Sequence, residues 1–271
     1  WEIPPKWRIK EGYVKNNEGI ELVSFRNCPL HVMSYSVPVS STVKGEELLK
    51  HVYVHNEIPH AIPFEFSYYK SNWGFCLTHE QKNKIKADEV YEVFIDSGFV
   101  DDYLSVGEYT IHGKSDEYIV FLSHLDHPFQ VNDGLIGGAV NVALATLLKE
   151  KDFYYNYTFL FVPESIGSIA FLSQNEDLIP KIKYAVFVEM VGLDNPLVLQ
   201  KSYKGDELIN RYALYAMNKL QGVSEPYPYL TVAANDEKIF NSPGVNIPSI
   251  SITRVNQKTR LEEMNGNRQK E

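Results

Sequence analysis

Cysteine is scarce. Cys28 and Cys76 are the two in 271 residues, which excludes a domain stapled by several disulfides and leaves at most one bridge open. Positive charge is also short: 26 Lys and Arg stand against 35 Asp and Glu, a formal net charge of −9. No nucleic-acid partner and no anionic membrane surface are therefore expected, since both call for a basic patch. No apolar run approaches the roughly 20 residues a membrane helix needs, and no leader-type segment stands at the amino terminus. Repeats and low-complexity tracts are absent. A cytoplasmic setting is the expectation. The chain opens on Trp1 rather than Met, so it is expected to be a fragment.

What is present is enough for a packed core: 44% of residues are hydrophobic, which argues against wholesale disorder. The chain divides in texture. Residues 1–110 are rich in Tyr, Trp, Pro and His, with short alternating stretches at 21–25, 31–38 and 89–95 that predict strands and one short helix over 46–55. His31, His51, His55, His60 and His79 are scattered there without metal-ligand spacing and read as surface or half-buried residues. From residue 118 the rhythm becomes strand then helix. Strands are predicted at 118–122, 157–162, 184–191 and 247–253. Helices are predicted at 165–173 and from Asp206, as its cap, to Leu220, with Leu208, Ile209, Tyr212, Tyr215 and Met217 among the candidate buried positions. Such alternation implies an α/β fold, a mostly parallel sheet with helices on both faces, beside a smaller β-rich domain. The boundaries expected are a lead-in over 1–20, a β-rich subdomain over 21–110 and the α/β core over 111–271.

The polar residues collect where strands end, the edge at which open α/β sheets hold ligands. The first strand runs into His124, Asp126, His127, Asn132 and Asp133; the second into Glu164; the third carries Glu189; and Asn235, Asp236 and Glu237 precede the last. Imidazole and carboxylate together suit zinc, and a further carboxylate can serve as general base toward water. Plainer roles exist. Asp133 can cap the next helix, Glu164 can favour a helix start through the dipole, and His124 and His127 can bond turn backbone. Glu189 is harder to explain so, because it interrupts an apolar strand and a buried charge is costly unless paired or metal-bound.

These stretches, taken in order, resemble a known family. Trp73-Gly74-Phe75-Cys76-Leu77 is similar to a WGFCL segment, and residues 91–97 with Gly107-Glu108-Tyr109 to its strand and GEY pattern. Ser123 to Pro128 with Asn132-Asp133 resembles S-x-x-C-H-P…A-N-D, with Asp126 in place of Cys. Residues 163–170 resemble PETIGSIA, Asn235-Asp236-Glu237 stands where the family has GSDERQ, and Ser242-Pro243-Gly244 matches its SPG. The family is that of bacterial aminopeptidase-like proteins with DUF4910 and DUF2172 domains, within the M28-like zinc aminopeptidase superfamily, and the likeness covers nearly all of residues 1–254.

The resemblance implies an M28-type core with a β-rich domain inserted before the metal loop. It implies His124 or His127, Asp133 and Glu189 as zinc ligands, Asp126 as the residue orienting His124, and Glu164 as general base. Asp236 and Glu237 would bind the substrate's free amine or support the metal shell. Ser165 stands where the superfamily carries a second Glu, which favours one zinc over two. The superfamily's late His is missing, as no histidine follows His127, and an omitted loop near Val255 is the expectation. The implied function is a zinc-dependent hydrolase acting on a small peptide or amino-sugar-like amide. The alternative is a catalytically weak relative that binds such a ligand in cell-surface polysaccharide metabolism. A homo-oligomer is left open.

Overall fold

The computed structural model describes residues 2–126, 130–222 and 225–254. The chain separates into two units, Pro4–Tyr103 and the residues from Leu104 onward together with those ahead of Pro4.

In the smaller unit, β1 (Lys6–Asn16), β2 (Glu21–Ser24), β3 (Val39–Lys44) and β6 (Val90–Val100) form an antiparallel sheet of order β2-β1-β6-β3. Between β3 and β6 lie α1 (Gly45–Leu48), the parallel two-residue pair β4 (Val52–Tyr53) and β5 (Phe75–Cys76), and α2 (His79–Asn83). β6 shows why this sheet forms: Tyr91, Val93 and Ile95 alternate with more exposed residues and enter the core beside Val14, Val23 and Phe75. α2 is started by a capping box between Thr78 and Gln81.

The observed boundaries differ from those expected. Residues 6–16 are not a lead-in to the core; their inward Gly12 and Val14 pair them with β6. Residues 31–38 do not form a strand. They follow a 3-10 turn at Pro29–His31 and make only isolated bridges, in a segment where Tyr35 takes φ 65° and Pro38 offers no N–H. The helix expected over 46–55 stops at α1 and a 3-10 turn, Leu49–His51, because Val52 and Tyr53 pair with β5 instead.

The larger unit is built on a six-stranded sheet, β11-β12-β10-β8-β9-β7. Its members are β7 (Gly107–Ile111), β8 (Tyr118–His124), β9 (Asn156–Val162), β10 (Ile182–Val188), β11 (Leu197–Gln200) and β12 (Ser249–Arg254). The four central strands are parallel, while β7 and β11 pair antiparallel at the edges. The sheet is therefore mixed, and β7, expected in the β-rich subdomain, is one of its edges.

The helices are α3 (Ile136–Leu148), α4 (Ile166–Gln174), α5 (Leu208–Gln221) and α6 (Asp236–Phe240). Strand alternation distributes them. Val120 and Leu122 of β8 and Ala185 and Phe187 of β10 pack with Phe171 and Leu172 of α4 and Phe240 of α6. Val186, Val188 and Ile250 point the other way, to Met217 of α5, and Phe159 meets Ala145 of α3. Helices thus cover both faces. In α5, Met217 is buried as expected and Ile209 half-buried, but Leu208, Tyr212 and Tyr215 face solvent. The buried stripe runs through Ile209, Ala213, Leu214 and Met217. Against the expectation that no apolar run approaches that length, the segment Val131–Leu148 is apolar and long enough to cross a membrane by composition; its α3 part packs along β8, β9 and β10, and Asp133 lies ahead of α3.

Candidate metal centre

Register places the site. In β8, the face turned toward α4 and α6 carries Val120, Leu122 and then His124. In the neighbouring β10, Phe187 pairs with Leu122, so two residues on Glu189 stands beside His124, one strand spacing of about 4.8 Å away. His124 and Glu189 are each 1% exposed. The third member reaches in from the connection to α3. A π turn, Val131–Leu135, precedes that helix, and Asp133 in it has φ −114° and ψ 89°. That extended residue is not a helix cap; its Oδ1 lies 2.8 Å from His124 Nε2. Gly134 follows because nothing larger fits. A Cβ there would lie 2.3 Å from His124 Cδ2 and 2.5 Å from the His124 carbonyl oxygen. One ligand atom from each of His124, Asp133 and Glu189 lies within 4.8 Å of the others.

The other nitrogen of His124, Nδ1, is 3.3 Å from Asp236 Oδ2. Asp236 is fully buried and its Oδ1 also accepts from Ser168 Oγ at 2.6 Å and from the Ser165 backbone N–H at 3.0 Å. The carboxylate on His124 Nδ1 is thus Asp236, from the segment the sequence assigns to substrate or shell. Asp126, expected in that orienting place, accepts the Glu164 backbone N–H through Oδ2 at 2.9 Å.

Glu164 is half-buried just beyond β9, two residues past Val162, the register partner of His124. The chain reverses sharply there. Ser165 has φ 58° and ψ −55°, and the Ile166 N–H bonds the Glu164 carbonyl at 2.6 Å. This is a γ-turn of the strained kind, pinned by the Ser165 N–H bond to Asp236. Glu164 therefore precedes the helix on a tight turn rather than sitting in its first turn. The same buried carboxylate, Asp236, ties His124 to this turn.

Glu189 is held from one side only. Its Oε2 accepts from Asn235 Nδ2 at 2.7 Å, while Oε1 is buried without a hydrogen-bond partner among the described residues. Glu237, also fully buried, accepts from the Asn235 backbone N–H and from Gln200 Nε2 at 3.1 Å. Asp236 and Glu237 are sealed inside, so direct contact with a substrate amine does not fit them and support of the shell does. His127 lies outside the described residues, as does the segment near Val255.

The electrostatics follow from this packing. Burial pulls the His124 pKa down, but hydrogen bonds that the ring donates to Asp133 and Asp236, with the charges of Glu189 and Asp236, outweigh it and push it up to about 11. Burial pushes Glu189 up to about 8, against the opposing pull of His124 and Asn235. Burial likewise raises Glu237. Three acids, Asp133, Asp236 and Glu189, thus converge on one imidazole, and one buried oxygen of Glu189 lacks a hydrogen-bond partner among the described residues. Such a pocket is short of positive charge and fits a divalent cation. One imidazole nitrogen with two carboxylate oxygens is a zinc-type donor set.

The sequence missed Asn235 as the partner of Glu189, and Gln200 and Ser168 as buried supports. Their signal was faint: Gln200 ends an apolar run, and Ser168 is a small polar residue in a helix start.

Comparisons with known proteins bear on the fold and the family. The family model described as a domain of unknown function, DUF4910, matches residues 1–264. A polysaccharide biosynthesis protein with aminopeptidase-like domain from Clostridium acetobutylicum is 37% identical over 257 residues, covering 94% of this chain and 58% of its own. The crystal structure of a peptidase from the same organism superposes with a TM-score of 0.85 at 36% identity, over 95% of this chain and 61% of that one. The chain therefore spans about three-fifths of the length of these relatives. A zinc aminopeptidase from Bacillus subtilis shares the fold at a TM-score of 0.64 and 12% identity, over 96% of this chain and 74% of its own. An M28 peptidase precursor from Shewanella amazonensis does so at 0.55 and 12%, over 92% and 73%. The core has the fold of M28 zinc aminopeptidases, and the chain belongs to the DUF4910 family of aminopeptidase-like proteins.

Proposed function

We propose that this chain forms the metal-binding core of a zinc-dependent hydrolase of aminopeptidase type, cleaving an amide or peptide bond in a small peptide or amino-sugar-like substrate. The observation that carries this reading is the convergence of His124, Asp133 and Glu189 within 4.8 Å, with a buried Glu189 oxygen left without a hydrogen-bond partner among the described residues. Those three residues would hold the metal. Zinc, when bound, would supply Lewis acidity toward a water and the scissile carbonyl. Glu164 serves as general base, taking the proton of the attacking water and passing it to the leaving amine. The γ-turn at Ser165 and the Asp126 contact to the Glu164 backbone fix where that carboxylate starts. Asp236 holds the His124 ring and keeps Nε2 turned toward Asp133. Ser165, standing where a second acid would be needed, supports one zinc rather than two.

The test is turnover of a panel of peptides with free amino termini and aminoacyl arylamides by zinc-loaded protein. Glu164→Gln is expected to lower turnover by roughly 10²–10⁴-fold while zinc stays bound. Equal turnover by wild type and Glu164→Gln would overturn this assignment. A second reading has one support, the polysaccharide-biosynthesis name of the Clostridium acetobutylicum relative. On it the same pocket binds an amino-sugar-like ligand without cleaving it. Saturable amino-sugar binding by zinc-loaded wild type that turns over no substrate in the panel would favour that reading.

A further inference from the structure

Asn235 carries two bonds in opposite directions. Its side-chain amide donates to Glu189 Oε2 at 2.7 Å, and its backbone N–H lies 3.3 and 3.2 Å from the two oxygens of Glu237. Glu237 in turn takes Gln200 Nε2 at 3.1 Å. Gln200 is itself locked: its Oε1 accepts the Val232 and Ala233 N–H groups, and Nε2 also donates to the Ala233 carbonyl. Gln200 and Glu237 are completely buried. Asn235 stands just ahead of α6, yet its side chain caps nothing there. A short helix start does not explain that orientation.

We propose that Gln200, Glu237 and Asn235 form a positioning relay that presents Glu189 to the metal. The inference rests on the zinc-site reading above and deepens it. Glu189 is a flexible carboxylate with one oxygen tied and the other unpartnered. The tie at Oε2 restrains the carboxylate and leaves Oε1 without a hydrogen-bond partner among the described residues. Asn235 holds that tie because Glu237 fixes its backbone, and Glu237 is fixed because Gln200 is bonded into the 232–233 segment. Partners of this kind orient metal ligands, and their loss weakens metal binding by about 10–100-fold. None of the three touches the reacting atoms, so these are positioning residues.

The test is zinc affinity of the metal-stripped protein, titrated with zinc against a chromophoric chelator, with unfolding of each stripped variant recorded alongside. Asn235→Asp is the decisive substitution. It keeps the shape of the side chain but replaces the donor by an acceptor that faces a carboxylate. The relay predicts a loss of zinc affinity of about 10–100-fold in Asn235→Asp and in Asn235→Ala, and a smaller loss in Glu237→Gln, with the metal-free fold retained. Asn235→Asp binding zinc as tightly as wild type would overturn the relay while leaving the zinc site intact. Wild type binding no zinc would instead overturn the site reading and the relay with it. If Asn235→Asp no longer unfolds cooperatively, Asn235→Ala takes its place, and zinc binding by Asn235→Ala as tight as wild type would overturn the relay in the same way.

Discussion

His31 in the smaller unit and His124 in the larger are both buried, at 4% and 1% exposure. Burial acts on them alike, since it disfavours the charged ring. Their neighbours differ. His31 places Nδ1 2.7 Å from the Cys76 carbonyl and Nε2 3.4 Å from Gln81 Nε2, all uncharged groups. Its pKa is lowered, by burial against the opposing bond to Cys76. His124 sits between two carboxylates with a third beside it, and its pKa rises to about 11 despite the burial. A satisfied core histidine and a candidate ligand therefore have the same exposure, and the charge around the ring separates them.

That contrast is sharpened first by removing a ligand from one side. Asp133→Ala or Glu189→Ala is expected to abolish zinc binding in calorimetric titration, because each removes one of three protein donors. His31→Ala, the matched change in the smaller unit, is expected to leave zinc affinity unchanged. Next in size is Asp236→Asn. It keeps the shape but not the charge on His124 Nδ1, and zinc affinity is expected to fall by about 10–100-fold. Gly134→Ala forces a Cβ against His124. Overpacking of this sort costs about 1–3 kcal/mol, to be read from urea unfolding, and should weaken zinc binding at the same time.

The smaller expected effect is on pH dependence. In metal-stripped protein, unfolded Glu189 ionises near its ordinary value of 4.5, while the folded chain keeps that proton up to about 8. Between those values the unfolded state binds fewer protons, so stability falls as pH rises. His124 adds the same sign. Its folded value of about 11 exceeds the ordinary 6.5, so its contribution is whole below 6.5 and is lost as pH climbs toward 11. Stability of the stripped protein should therefore decline from mildly acid to alkaline pH, and the decline should flatten in Glu189→Gln. His31 runs the other way. Its lowered pKa means that protonation disfavours its folded place, so it takes stability away only at acid pH. A His31→Gln variant should lose that acid-side dependence and keep the rest.

Much of the larger unit was legible because its strands are buried on both faces and read as apolar runs. The interruptions of those runs, His124 and Glu189, marked the site for the same reason. The orienting residue was harder to read. Asp126 is two residues from His124 in sequence, whereas Asp236 is 112 positions away and reaches Nδ1 because α6 packs against β8 and β10. Contacts of that range leave no periodic trace. The smaller unit was less legible at 31–38 and 46–55, where proline, a positive φ and two-residue strand pairing override the local pattern. The exposed Tyr212 and Tyr215 show a related limit: apolar spacing alone admitted a face of α5 that the sheet does not cover.

The most direct test of the zinc-centre account is elemental analysis of freshly purified, tag-free protein, compared with Asp133→Ala and His124→Ala after zinc is added back and excess removed. The account predicts about one zinc per chain in the wild type, held by the three converging donors, and none above background in either variant. Wild type that holds no divalent metal after add-back would contradict it and leave the fold of an M28 peptidase without its metal.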